Sequence, residues 1–243
     1  MRIAVLGGAG EIGRAVVTHL LARSDVSLVV ADVREDAGRA LVRELGERVT
    51  FQPIDAGRAR TVWRALSGCQ VAINCIGPAY RFALPLARAI IDADLSGVDI
   101  CDDSTPVAGL LALSDKAARR GLVYITGMGW SPGITNLLAV KGSRALDRTE
   151  RIDIRWVGSA ADASGPAVIK HLLYCVSGNV PAFRAGQRVR VPALSEPEMV
   201  AFPYPLPTLE VSHMGHPEPL TLPRYLPVDN VTCKGTVLPQ AAM

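Results

Sequence analysis

Residues 1–32 read MRIAVLGGAGEIGRAVVTHLLARSDVSLVVAD, and their order decides the architecture of the chain. Ile3 to Leu6 is an apolar run too short for a helix and long enough for a buried parallel strand. Gly7, Gly8, Gly10 and Gly13 follow, and from Gly8 they spell G-x-G-x-x-G. Ile12, Val16 and Leu20 then recur every four residues, as one face of a helix does. Val26 to Ala31 is a second apolar run, closed by Asp32 nineteen residues after Gly13.

Each part has a job in a dinucleotide site. Gly8 permits the tight turn after the strand, Gly10 lets the backbone approach a pyrophosphate, and Gly13 lets the helix pack near the strand. The helix start, with Glu11 and Ile12, presents amides and a partial positive charge to the phosphates. Asp32, with Val33 behind it, is placed to accept from an adenosine ribose. A carboxylate there repels a 2′-phosphate, which favours NAD over NADP, although Arg34 stands close by. A lone G-x-G-x-x-G is a weak signal. Here strand, glycines, helix, strand and acid all stand in the required order.

The alternation continues. Helices are expected over Glu35–Leu45, Arg58–Leu66, Phe82–Ala93 and Thr105–Arg119, with Pro85 confining the start of the third. Strands are expected over Arg48–Ile54, Gln70–Cys75, Gly97–Cys101 and Leu122–Thr126. Repeated strand–helix alternation means parallel strands with right-handed crossovers, hence an α/β fold with a doubly wound Rossmann sheet. Ligands of such sheets bind beyond the carboxyl ends of the strands.

Past about Arg148 the texture changes, and eleven of the seventeen prolines fall after Val180. Beyond a strand at Arg151–Val157 and a helix at Pro166–Val176, that density predicts extended, partly exposed strands and loops rather than helix. The division expected is a dinucleotide-binding domain of residues 1–128 and a smaller α+β domain of residues 129–243 with an antiparallel sheet.

With 49% hydrophobic and 20% charged residues and a net charge of +3, the composition is that of an ordinary globular protein. Scattered arginines suggest neither a nucleic-acid nor a membrane surface. No apolar run is long enough for a membrane helix, and Arg2 leads directly into a strand. A cytoplasmic protein without a signal peptide is expected. The five cysteines, odd in number and without zinc spacing, read as reduced thiols.

Gly129-Trp130-Ser131-Pro132-Gly133 satisfies the G-x-S-x-G of a hydrolase elbow. The residue after that serine must donate its amide to the oxyanion, however, and Pro132 has none. No acid and histidine partners are evident either. The better reading is a loop into a helix over Ile134–Leu146, with Pro132 in its first turn and amides able to hold a substrate carboxylate. His213 and His216 have metal-like spacing but no third ligand, and no metal is expected. Asp102 and Asp103 are read as the end of the fifth strand, where adjacent side chains face opposite ways and so do not share a ligand.

Several stretches together resemble the saccharopine dehydrogenase-like family of saccharopine reductases and lysine dehydrogenases. They are Gly7 to Gly13, Asn74-Cys75-Ile76-Gly77-Pro78, Val98 to Asp103, Gly215 to Pro223 and, most specifically, Gly127 to Ala139 with its Ser-Pro-Gly. The resemblance implies an NAD(P)-dependent oxidoreductase acting at the C–N bond of an amino acid or secondary amine, in a homodimer. It implies that Asp55 and Ala56 flank the adenine and that Ile76, Gly77 and Pro78 line the nicotinamide side. Tyr80, Arg81, Ser131, Pro132, Gly133 and Asn136 become candidates for substrate contact, and Asp103 and His171 for moving the amine proton. Members are typically longer, so a dinucleotide-binding protein or partner subunit without catalysis is the alternative expectation.

Overall fold

A computed structural model describes residues 1–162 and 165–239. It divides into one unit of Met1–Cys101 and Ala108–Met128, and a second of Asp102–Val107 and Gly129–Met243. In the first, strands and helices alternate: β1 (Arg2–Leu6), α1 (Glu11–Arg23), β2 (Ser27–Asp32), α2 (Glu35–Leu45), β3 (Val49–Pro53), α3 (Ala59–Leu66). The series continues with β4 (Val71–Asn74), α4 (Ala79–Asp92), β5 (Ser96–Asp99), α5 (Val107–Leu111), α6 (Ser114–Arg119) and β6 (Tyr124–Ile125).

The six strands are parallel, in the order β3-β2-β1-β4-β5-β6. That is the doubly wound order, with its switch point between β1 and β4. Alternation along β1 explains its unbroken apolar run. Ile3 and Val5 join Val17 and Leu41 in one core cluster, while Ala4 and Leu6 join Val62, Leu66 and Ile90 in another. Both faces are covered, and each large aliphatic side chain so buried contributes about 1.5–3 kcal/mol.

Three expectations need correction here. The helix expected over Thr105–Arg119 is broken into α5 and α6. The fifth strand stops at Asp99, short of Cys101. Pro85 does not set the start of α4, which begins at Ala79 and carries the proline inside it. Only one backbone bond is lost to that ring, and buried Ala83, Leu86, Ala87, Ile90 and Ile91 hold the helix to the sheet.

The second unit contains α7 (Ile134–Ser143), β7 (Arg151–Ser159), α8 (Pro166–Cys175), β8 (Asn179–Arg184), β9 (Gln187–Pro192) and β10 (Glu198–Ala201). It ends with β11 (Thr208–His213), α9 (Glu218–Tyr225) and β12 (Asn230–Leu238). Its sheet runs β10-β11-β12-β8-β9 with antiparallel neighbours, and β7 lies parallel to β12 along Arg151–Ser159. Ile152, Ile154, Trp156, Phe183, Met214, Leu222, Val231 and Cys233 form its core.

The proline-rich region is partly exposed and largely extended, as expected, but it is not all extended. The helix α9 carries Pro219 in its first turn, where the missing N–H has no intrahelical acceptor to lose, and tolerates Pro223 further on. The strand β12 is buried along its interior. Among the described residues no helix is long and apolar enough to cross a membrane. All five cysteines are free thiols.

Candidate functional site

At the end of β1 the chain turns at Gly7, whose φ of +77° lies in the left-handed region. Gly7, rather than Gly8, takes the conformation that favours glycine. Gly13 is needed for a different reason: a Cβ there would sit 2.1 Å from the Gly7 carbonyl oxygen. Only hydrogen fits where α1 presses on the turn. Gly10 caps α1, and Arg14 N donates to Gly10 O at 2.8 Å. The amides of the first turn, Ile12 and Gly13 among them, thus precede the first intrahelical bond and face the position a pyrophosphate takes in this motif.

Asp32 ends β2 only 5% exposed and tied to the same turn. One carboxylate oxygen accepts from Ala9 N at 3.1 Å, the other from Arg34 N at 2.9 Å. The Arg34 guanidinium, largely exposed, adds a contact at 3.3 Å. Val33 is 72% exposed beside them. A ribose diol therefore has an acceptor held in place, and a 2′-phosphate has a cation next to it. Further along this edge, Asp55 accepts from Gly57 N and pairs with Arg58, while Ala56 packs on the core. Ile76 N donates to the Asn74 side chain at 3.0 Å, and Gly77 leads to Pro78, the cap of α4. Tyr80 is 39% exposed, and Arg81 lies over the Phe82 ring at 4.9 Å. Burial, then the charge of Asp99, pushes the Cys75 thiol up to about 12, so it stays neutral.

The second unit gathers a different set. Asp103, fully buried, reaches His171 Nδ1 at 2.9 Å, and Asp102 reaches the same nitrogen at 3.4 Å. The two carboxylates do face one partner, against the sequence expectation. They lie beyond the end of β5, where strand alternation no longer governs direction. His171 Nε2 stands 3.3 Å from Cys175 Sγ, one turn along α8. Burial alone would depress the His171 pKa, but the hydrogen bonds to Asp103 and Cys175 and the charge of Asp102 outweigh it and raise it to about 11. Burial would raise the Cys175 thiol, yet His171 and His216 draw it below its ordinary value.

Ser131 is also buried. Its hydroxyl donates to Glu218 Oε1 and lies 3.3 Å from His216 Nδ1. Acid and histidine partners for the G-x-S-x-G serine thus exist, although none was evident in sequence. They do not make a hydrolase triad: both press on the serine itself, and Pro132 still offers no amide. Two first-turn amides of α7 are occupied, Ile134 N by Gly129 O and Thr135 N by Trp130 O. The loop therefore does not offer those amides to a carboxylate, and Pro132 precedes the helix, which starts at Ile134 after Gly133. Asn136 donates to Thr221 at 3.2 Å. His213 turns away from His216 toward Glu196 and Arg184.

Residues 3–125 match the family model described as the saccharopine dehydrogenase NADP binding domain. The chain belongs to this family. A 4-hydroxy-tetrahydrodipicolinate reductase of Cupriavidus pinatubonensis is 28% identical over 162 residues, 63% of this chain and 56% of that protein. A 3-hydroxyacyl-CoA dehydrogenase type-2 of Drosophila melanogaster is 33% identical over 82 residues, 31% of this chain and 32% of that one. The apo saccharopine dehydrogenase (L-Glu forming) of Saccharomyces cerevisiae superimposes with a TM-score of 0.71 at 17% identity, over 96% of this chain and 54% of that one. The last establishes the fold shared with that saccharopine dehydrogenase. The chain spans from about a third to just over half of these relatives' lengths.

The saccharopine dehydrogenase-type nucleotide unit brings Gly8, Gly10, Gly13 and Asp32 together, and the second unit brings Asp103 to His171. The sequence reading missed Cys175, His216 and Glu218 as members of that second group. The i, i+4 spacing of His171 and Cys175 on an expected helix was the available signal. Nothing local marked Glu218, which meets Ser131 across 87 positions of sequence.

Proposed function

We propose that this chain is an NAD(P)-dependent oxidoreductase that transfers hydride at the C–N bond of an amino acid or secondary amine. The observation that carries the proposal is the Asp32 carboxylate, buried and held by Ala9 N and Arg34 N against the glycine turn. Preorganised acceptors of this kind cost nothing to orient when the ribose arrives. The cofactor supplies hydride chemistry at its nicotinamide; the chain supplies binding, orientation and the proton. In the reductive direction an imine carbon gains hydride and its nitrogen gains a proton. Asp103 orients His171 through Nδ1, which leaves Nε2 as the atom that delivers that proton. Oxidation reverses both steps, and water opens the imine to a carbonyl and an amine.

The family's NADP-binding domain and the Arg34 guanidinium support NADP; the Asp32 carboxylate supports NAD. Both cofactors are proposed as ligands, with this pair of residues setting the ratio. Fluorescence titration with NADH and NADPH, followed by turnover assays across amino acids and amine–keto-acid pairs, tests the reading. Binding with turnover that falls at least tenfold in Asp103→Asn upholds it. Binding with no turnover on any pair would instead make the chain a dinucleotide-binding partner subunit, and binding of neither cofactor would end both readings.

A further inference from the structure

His171 and Cys175 stand one turn apart on α8, and His216 enters from the segment between β11 and α9. One ligating atom from each lies within 4.8 Å of the others. Cys175 Sγ is 3.3 Å from His171 Nε2. Zinc holds sulfur at about 2.3 Å and imidazole nitrogen at about 2.0–2.1 Å, so a tetrahedron spaces its ligand atoms by roughly 3.3–3.6 Å. The Cys175–His171 distance already lies in that range, and a bound ion would draw the third ligand in from within 4.8 Å.

The second observation concerns the far side of each ring. His171 Nδ1 meets the Asp103 carboxylate at 2.9 Å, and His216 Nδ1 meets the Ser131 carbonyl oxygen at 3.1 Å. Both partners are acceptors, so each Nδ1 carries a hydrogen, and a metal ion would take the place of any second proton on Nε2. Outer contacts of this kind fix the tautomer of metal-binding histidines. A hydrogen bond between His171 and Cys175 would explain their approach. It would not explain why two imidazoles, each held by its own acceptor, both stand within 4.8 Å of one buried sulfur.

We propose that His171 Nε2, His216 Nε2 and Cys175 Sγ form a site for a zinc-class divalent ion, with its fourth position left to water or another small ligand. Three protein ligands with one open position are the pattern of reactive rather than purely structural zinc. The inference does not rest on the function proposed above, and its readout uses neither cofactor nor turnover. Bound zinc would occupy the nitrogen that the amine chemistry uses, so inhibition of turnover is a secondary consequence.

The test loads the chelator-treated, full-length chain with Co2+ and with Zn2+. One ion per chain is expected, with a thiolate-to-cobalt charge-transfer band and, by X-ray absorption at the zinc edge, one sulfur and two imidazole nitrogens around the metal. Cys175→Ser should abolish the band, and Asp103→Asn should weaken zinc binding by about 10–100-fold through loss of the outer contact. No uptake at micromolar metal, a sulfur-free zinc shell, or uptake unchanged in Cys175→Ser would each overturn the proposal. Because the wild-type spectra decide alone, a variant that fails to fold leaves the test intact.

Discussion

Buried polar groups are handled differently in the two units. In the first, Asp32 is met by backbone amides, and Asp99 accepts from Cys101 N, Gly127 N, Thr126 and Tyr124. In the second, partners are mostly side chains from distant elements, as in Ser131 with Glu218 or Arg155 with Glu198. Every buried side-chain atom that lacks a partner among the described residues also lies there: Asn136 Oδ1, Trp156 Nε1, His213 Nδ1, Glu218 Oε2 and Thr236 Oγ1. Backbone donors are fixed by the fold, whereas a side-chain partner fails whenever its own element shifts. One unit is a frame whose buried charges are met by fixed backbone; the other holds its buried polar groups in a network that a single substitution can unbalance.

The largest expected effect would break the frame. In Gly13→Val the new side chain would meet Gly7 O, 2.1 Å from the Cβ position. Dinucleotide affinity should fall more than about 100-fold, α1 being forced off the turn. Fluorescence titration reads this directly, and retained affinity would show that the turn yields. Next, Gly235→Ala would place a Cβ 2.2 Å from the Trp156 ring. The second unit should lose about 1–3 kcal/mol in urea unfolding, typical of overpacking, while NADPH affinity is unchanged. A fall in both would mean that the units are energetically coupled.

Glu218→Leu removes the acceptor of Ser131 and Thr135 and should cost about 1–3 kcal/mol for the hydroxyls left behind. A neutral result by thermal denaturation would show that the network re-forms around the change. Asp32→Ala should weaken NADH by about tenfold or more, the value of a charge-assisted hydrogen bond. Arg34→Ala should weaken NADPH more than NADH, and the ratio of the two dissociation constants checks it.

The smallest effect is a pH shift in the second unit. At Asp153 and Glu198 burial alone would raise the carboxyl. At Asp153, Thr232 with Arg151 and Arg155 outweighs burial; at Glu198, Arg155 with Lys234 does, and both groups are held below their ordinary values of 3.8 and 4.5. A depressed folded-state pKa means that the unfolded chain binds the proton more readily. The contribution is whole above about 4.5 and is lost as pH falls through the folded values. Melting of the second unit should therefore move down below that pH, and Asp153→Asn should flatten the slope.

The legibility of the sequence follows the same division. The first unit was readable because its signals are local: a short apolar run, glycines at fixed offsets, a helical period, then an acid. Its misread boundaries, such as the end of β5 at Asp99 rather than Cys101, arose because Ile100 and Cys101 continue the apolar pattern after pairing stops. In the second unit the decisive relations are distant. The strand β12 alternates Val231, Cys233 and Val237 with Thr232, Lys234 and Thr236, but the charge and the glycine in its middle, Lys234 and Gly235, masked it, and it went unrecognised. Lys234 is only 5% exposed because Glu198 and the Glu196 carbonyl neutralise it, and Gly235 is small because Trp156 lies against it. Proline density was misleading for a simpler reason: a helix of eight residues needs few amides.

The strand β12 also sets a timetable. It pairs with β7 over nine positions that lie about eighty residues earlier, and it touches β8 and β11 as well. The second sheet has no middle until residue 238 has left the ribosome, whereas the first unit closes its sheet within some 125 residues. Long-range pairing of this kind folds slowly, because loop closure precedes any reward. During synthesis the first unit is therefore complete while Trp156 and Phe183 still face water. It is in that interval, rather than in the folded state, that the chain is most open to chaperones and to aggregation.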